Sequence, residues 1–210
     1  MKIIKVGRLE HIKAMYCEGE VFFNTINYFK QTEKNDARFD KLEGATMIDQ
    51  IKNMKVQMPD GNILNFSRNR GDSIKLRHAY LIEHADEKKG NIFCCTAITT
   101  TNLDSFKKIN PKFREFGDSV LLIENPNRFL ERIEAELNKL SLPFHLGLTS
   151  YYNKHEAVGQ LHIFSKSDEY SYQSEIRIWV QNQMEEPIKI KIGPLIEYSA
   201  IFSMDELLDL

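Results

Sequence analysis

An amide, a carboxylate and a guanidinium recur at every second position in Gln173-Ser174-Glu175-Ile176-Arg177, while Ile176, Ile178 and Val180 fill the alternate positions. Period-two alternation predicts a strand with one buried face, so Gln173, Glu175, Arg177 and Trp179 project together from the other. A carboxylate held on a rigid strand can stabilise a sugar carbon that develops positive charge. In that chemistry Gln173 orients a substrate or acceptor. Glu175 bonds a ribose hydroxyl or stabilises an oxocarbenium-like transition state, and Arg177 sets the carboxylate or grips phosphate. The same pattern also describes a solvated strand face, where a Glu–Arg pair contributes little.

Lys166, Tyr170, Gln173, Glu175 and Arg177 resemble the Lys, aromatic, Gln/Glu-x-Glu and Arg pattern of a broad family of uncharacterised bacterial proteins. Gly19, Val21-Phe22-Phe23 and Asn24 resemble that family's early glycine, Phe-rich strand and Asn-containing turn. The Gln-x-Glu element is also similar to the catalytic turn and strand of ADP-ribosyltransferases, which cleave NAD at the nicotinamide–ribose bond. The resemblance covers the two ends of the chain. It implies an ADP-ribosyltransferase-like fold, Glu175 and Gln173 as catalytic residues, and NAD contacts at Arg8, Asn24, Tyr28 and Arg177. Arg8 would meet the phosphates and Tyr28 would stack on nicotinamide. The chain departs from that family in its grip on NAD: Arg8 follows the first strand instead of lying on it, and Tyr28 sits in a later turn. Arg8 also reads as a solvated strand-end arginine, and Tyr28 with Phe29 as core cover.

The function implied is that of a bacterial or phage ADP-ribosyltransferase-like protein that modifies a protein, a nucleic acid or water. The alternative is a non-enzymatic binding module, an immunity or host-takeover factor that acts through a protein partner.

Other clusters are weaker. Asp36, Asp40 and Glu43-Gly44 form an acidic set of a kind that binds a metal or shapes an active-site rim, but without the Asp ladder of a calcium loop they read as an exposed charged loop, and no metal site is expected. His78, His84, His145, His155 and His162 are scattered, with no His-Glu-x-x-His spacing. Cys94 and Cys95 sit in an apolar run without a local basic activator and read as buried thiols of a reducing compartment. Arg68, Arg70, Lys75 and Arg77 form a basic loop that keeps nucleic acid open as a partner.

The elements that must position these residues follow from periodicity. Strands are expected over 3–6, 21–23, 51–58, 63–66, 74–83, 91–98, 119–123, 146–152, 160–164, 175–181, 188–192 and 199–202. Pro59-Asp60-Gly61-Asn62 is hairpin chemistry, and the strands at 74–83 and 91–98 are also placed to pair as a hairpin. Leu9, Ile12, Met15 and Tyr16 predict a helix that Gly19 stops. A short helix follows Asn24, and residues 33–43 read as a loop placed to act as a lid. Asn110-Pro111 opens a short helical piece. Asn125 caps a longer helix whose apolar stripe is Phe129, Leu130, Ile133, Leu137 and Leu140. Ser203 and Glu206 form a capping box.

Many strands and few helices make an α+β fold with a mostly antiparallel or mixed sheet, and the 210 residues suit one domain, 1–210. With 28 Lys and Arg against 30 Asp and Glu, the whole-molecule field does not favour nucleic acid or an anionic membrane. No signal sequence or membrane-length apolar run is visible, so a soluble cytoplasmic protein is expected.

Overall fold

A computed structural model describes residues 1–31, 42–68, 74–76, 78–84, 89–99, 110–184 and 186–208. The fold is α+β, with mostly antiparallel sheets and few helices. The first half of the chain supplies strands β1 (Lys2–Gly7), β2 (Glu20–Thr25), β3 (Met47–Gln50), β4 (Asn53–Gln57), β5 (Ile63–Ser67), β6 (Ile74–Lys75), β7 (Tyr80–Glu83) and β8 (Asn91–Ile98). The second half adds β9 (Ser119–Ile123), β10 (Phe144–Leu148), β11 (Ser150–Tyr152), β12 (Gly159–Gln160), β13 (Ser165–Ser167), β14 (Glu175–Val180), β15 (Ile188–Lys191) and β16 (Ser199–Ser203). The α-helices among the described residues are α1 (Leu9–Glu18), α2 (Ile26–Gln31), α3 (Pro126–Lys139) and α4 (Met204–Leu208).

In the principal sheet β10, β14, β8, β1, β9 and β16 lie side by side, each antiparallel to its neighbours. Strand β8 is the hinge of this arrangement. Its C-terminal half pairs with β1 through Thr96, Ala97 and Ile98, and its N-terminal end pairs with β2 through Asn91 and Ile92. Strands β1 and β2 therefore diverge, and residues 93–95 of β8 face the gap between them. Strand β2 leaves the principal sheet to pair with β15.

The two faces of the sheet differ. Ile3, Phe93, Cys95, Leu121, Ile123, Ile176, Ile178 and Val180 meet α1 and α3 in the main core. Helix α1 contributes Ile12 and Met15, and α3 contributes Phe129, Ile133 and Leu137. Burying side chains of this size contributes roughly 1.5–3 kcal/mol each before entropy is counted. Leu140, expected on the α3 stripe, is exposed because the helix ends at Lys139 and Leu140 is its C-cap. Asn125 caps that helix by accepting from the Arg128 N–H at 3.1 Å. The capping box at the other end forms as expected, with the Ser203 N–H donating to Glu206 and the Glu206 N–H to Ser203.

Gly19 ends α1 in the left-handed region at φ 68°, and a Cβ there would lie 2.0 Å from the Gly193 carbonyl oxygen. A glycine is required on both counts.

Several expected elements divide. Residues 74–83 form β6 and β7, which join different sheets: β6 runs parallel to β5, and β7 pairs with β3. The hairpin with β8 does not form, because both ladder edges of β8 are taken by β14, β1 and β2. Residues 146–152 break at Thr149, whose N–H donates to the Glu175 carbonyl, and the chain then turns to pair β11 with β13. Only Gly159–Gln160 of the stretch around 160–164 is strand. The lid reading falls on residues 33–43, of which 33–41 lie outside the described residues. No helix among the described residues is long and apolar enough to cross a membrane.

Candidate active site

Alternation along β14 puts Glu175 and Arg177 on one face, opposite the helix-packed core, where they lie across from Thr96 and Cys94 of β8. That face is not solvated. β14 is a central strand, and Tyr151 of β11, Lys166 of β13 and the 3-10 turn Asp168–Gln173 meet it at Glu175, so Glu175 is 7% exposed and Arg177 only 1%. The expectation of an open polar face is corrected: the polar positions of this strand form a second, charged interior. Gln173 lies outside the strand, on the 3-10 turn, separated from it by Ser174 in the left-handed region at φ 42°.

Charges cannot be buried at such positions without partners, and here they form a chain. Glu43 holds Arg177 in a two-point fork, with Nη1 donating to Oε1 at 2.8 Å and Nη2 to Oε2 at 3.1 Å. Arg177 Nη2 also donates to Glu175 Oε2 at 2.9 Å, and Nη1 to the Ile163 carbonyl. Lys166 Nζ donates to Glu175 Oε1 and to Gln173 Oε1, both at 2.8 Å. The Gln173 amide nitrogen donates to the Tyr172 hydroxyl at 3.1 Å. Thr149 and Tyr151 complete the surroundings of Glu175: the Thr149 hydroxyl is 3.5 Å from Oε2, and the Glu175 backbone N–H donates to the Tyr151 hydroxyl at 2.9 Å.

The Glu43–Arg177–Glu175–Lys166 chain is charge-balanced, which governs its protonation. Burial would raise the Glu175 pKa, but Lys166 and Arg177 outweigh it and hold the carboxyl at about 2, below the ordinary 4.5. Burial likewise opposes the charge on Arg177, and Glu43 and Glu175 restore it. Cys94 is pushed up to about 12 by burial and by the nearby Glu175, and Cys95 to about 12 by burial, so both remain thiols at neutral pH.

The chain opens onto a cavity of about 650 Å³ in the gap between β1 and β2, a size typical of small-molecule sites. All six residues singled out in the sequence line it: Arg8, Asn24, Tyr28, Gln173, Glu175 and Arg177. They arrive from four places, namely the start of α1, β2, α2 and the β14 region. Tyr28 is 37% exposed and meets Phe29 edge to face at 5.4 Å. The Asn24 side chain accepts from the Thr25 N–H at 2.9 Å. Arg8 is exposed at the N-cap of α1 and has no acidic partner among the described residues.

Among the other lining residues, Lys5 carried no expectation from the sequence, Lys166 entered only through the resemblance pattern, and Glu43 only through the acidic set. Lys5 spans the gap, with Nζ donating to the Cys94 carbonyl at 2.6 Å and standing 4.6 Å from the centre of the Phe93 ring. It occupies the stretch of β8 that neither β1 nor β2 covers. Glu43, expected on an exposed loop, is 4% exposed because Arg177 draws it inward. Asp36, Asp40, Arg70 and Arg77 lie outside the described residues. No cluster of three metal-ligating side chains occurs among the described residues.

No protein-family model, no curated protein and no solved structure matches this chain.

Proposed function

We propose that the cavity binds NAD and that the protein cleaves its nicotinamide–ribose bond, passing ADP-ribose to an acceptor. The observation that carries this reading is the convergence of Arg8, Asn24, Tyr28, Gln173, Glu175 and Arg177 on one cavity of about 650 Å³. These residues come from two segments far apart in sequence, 8–28 and 173–177.

The geometry suits the ligand in three respects. Lys5 and Arg8 have no acidic partner among the described residues, so this side of the cavity offers two cations to a pyrophosphate. Tyr28 offers a partly exposed ring for nicotinamide to stack on. Glu175 is an anion at working pH, and each of its oxygens accepts one charged donor within the chain. A carboxylate oxygen has two lone pairs, and Oε2 also accepts from the Thr149 hydroxyl at 3.5 Å, so the lone pair that remains for a ribose hydroxyl is on Oε1.

As the C1′–N bond breaks, its electron pair goes to the nicotinamide ring and positive charge develops on the ribose. The fixed carboxylate stabilises that charge. The acceptor's nucleophile then bonds to C1′ and loses its proton to solvent water. Gln173 acts one step back from this chemistry: its amide oxygen holds Lys166 and its nitrogen meets Tyr172, so it orients the Lys166–Glu175 pair. Arg177 sets the carboxylate, and the phosphate grip passes to Lys5 and Arg8.

The test is incubation of the purified chain with NAD, with nicotinamide quantified by chromatography. Release that disappears in Glu175→Gln supports the reading, and no release from the wild type rejects it. A second reading is favoured by the self-contained charge balance of the ion chain: a non-enzymatic module in which the chain is structural and loops grip a protein partner. It predicts no NAD binding by calorimetry.

A further inference from the structure

We propose that Glu43 is a positioning residue for Glu175, acting through Arg177; this rests on the NAD-cleaving reading of the cavity. Arg177 Nη2 is shared, 3.1 Å from Glu43 Oε2 and 2.9 Å from Glu175 Oε2, so the placement of one nitrogen fixes the relation between two carboxylates. The second contact of the fork, Nη1 to Glu43 Oε1 at 2.8 Å, sets the plane of the guanidinium. Planarity then dictates the direction in which Nη2 meets Glu175.

Charge balance in the buried chain points the same way. Arg177 is 1% exposed, so its charge must be met by protein anions. With Glu43 present, Arg177 is held from two sides and Glu175 divides its oxygens between Arg177 and Lys166. Without that charge the attraction of Arg177 for Glu175 is undivided. The buried chain gains a net positive charge, and the carboxylate is drawn toward Arg177 and away from Lys166.

The backbone around Glu43 is built for this contact. The Ala45 N–H donates to the Leu42 carbonyl at 2.9 Å and closes a turn. Gly44 takes φ 70° in that turn, where a Cβ would come within 3.0 Å of Ile26 Cγ2. The turn therefore lies against α2, the helix that carries Tyr28. Glu43-Gly44 ties two walls of the cavity together, one bearing the aromatic ring and the other the carboxylate.

The test compares Glu43→Gln, which keeps size and removes charge, with Glu43→Asp, which keeps charge, in steady-state nicotinamide release from NAD by the full chain. A displacement of about 1 Å at a reacting group can cost on the order of 100-fold, so Glu43→Gln is expected to lower kcat by about that factor with KM changed by less than about threefold. Glu43→Asp is expected to recover part of kcat. A folded Glu43→Gln protein, verified by circular dichroism, with wild-type kcat overturns the proposal. If Glu43→Gln fails to fold, Glu43→Asp decides: reduced kcat at unchanged KM supports the proposal, and wild-type kcat overturns it. Absence of release from the wild type removes the NAD reading and this proposal together, whereas release from a wild-type protein that is indifferent to Glu43 removes this proposal alone.

Discussion

Glu175 is stabilised as an anion by two cations of different kinds, the Lys166 ammonium and the Arg177 guanidinium. Lys166 sits at one end of the chain, bonded to Glu175 and Gln173. Replacing it with Met leaves the Glu43–Arg177–Glu175 set with a net negative charge and only one cation beside Glu175. The Glu175 pKa then rises from about 2. A carboxyl whose folded-state pKa is depressed contributes stability that is complete above its unfolded value of about 4.5 and is lost as pH falls toward about 2. Lys166→Met should therefore move acid unfolding, followed by circular dichroism, to higher pH. The acid limb of any NAD-cleaving activity should shift the same way. At Cys94 and Cys95 the thiols are held neutral, so iodoacetamide at neutral pH should label only the exposed Cys17, as read by peptide mass spectrometry. The residues of β14 were legible because alternation is a local signal. For Glu43 the sequence offered only an acidic set at a loop or rim, since its partner Arg177 lies 134 positions away and nothing in an acidic loop sequence announces a buried fork. Lys5 was missed for the same reason: its role depends on which part of β8 stays uncovered.

At the level of elements, the cavity exists because β8 is too long for one neighbour on its split edge. Strand β1 covers its C-terminal end, β2 covers its N-terminal end, and the residues between them become a wall of the site. The junctions that hold β1 and β2 apart are correspondingly tight. At Gly19, between α1 and β2, substitution by Ala combines a left-handed φ with a backbone clash against Gly193. We expect a loss of about 2 kcal/mol or more, which for a chain of this size lowers Tm by roughly 4–8 °C. A melt unchanged within about 1 °C would contradict the assignment. Individual strands and helices were readable where the period was long enough, as for α1, α3, β8 and β9. Their partners were not: β7 and β8 are adjacent in sequence and both strand-like, yet they join different sheets because pairing is settled by which edges are free. The burial of both faces of β14 was hidden likewise, since a polar alternate position looks the same whether water or a buried counter-charge meets it.

For the whole molecule, the formal charge of −2 conceals an uneven distribution. Lys5, Arg8, Lys166, Arg177 and Lys189 line the cavity against Glu20, Glu43 and Glu175, so its walls carry a positive excess in a slightly acidic protein. Composition averages that away. The excess predicts that NAD affinity falls with added salt and that Arg8→Ala weakens binding about tenfold, the size of one charge-assisted hydrogen bond, in a calorimetric titration. Equal affinity in the wild type and Arg8→Ala would remove Arg8 from the site. The most direct test of the account is nicotinamide release from NAD by the wild-type chain beside Glu175→Gln, with NAD binding to both measured in the same buffer. The account predicts that both proteins bind NAD and only the wild type releases nicotinamide. Equal release by the two, or no binding by either, would contradict it.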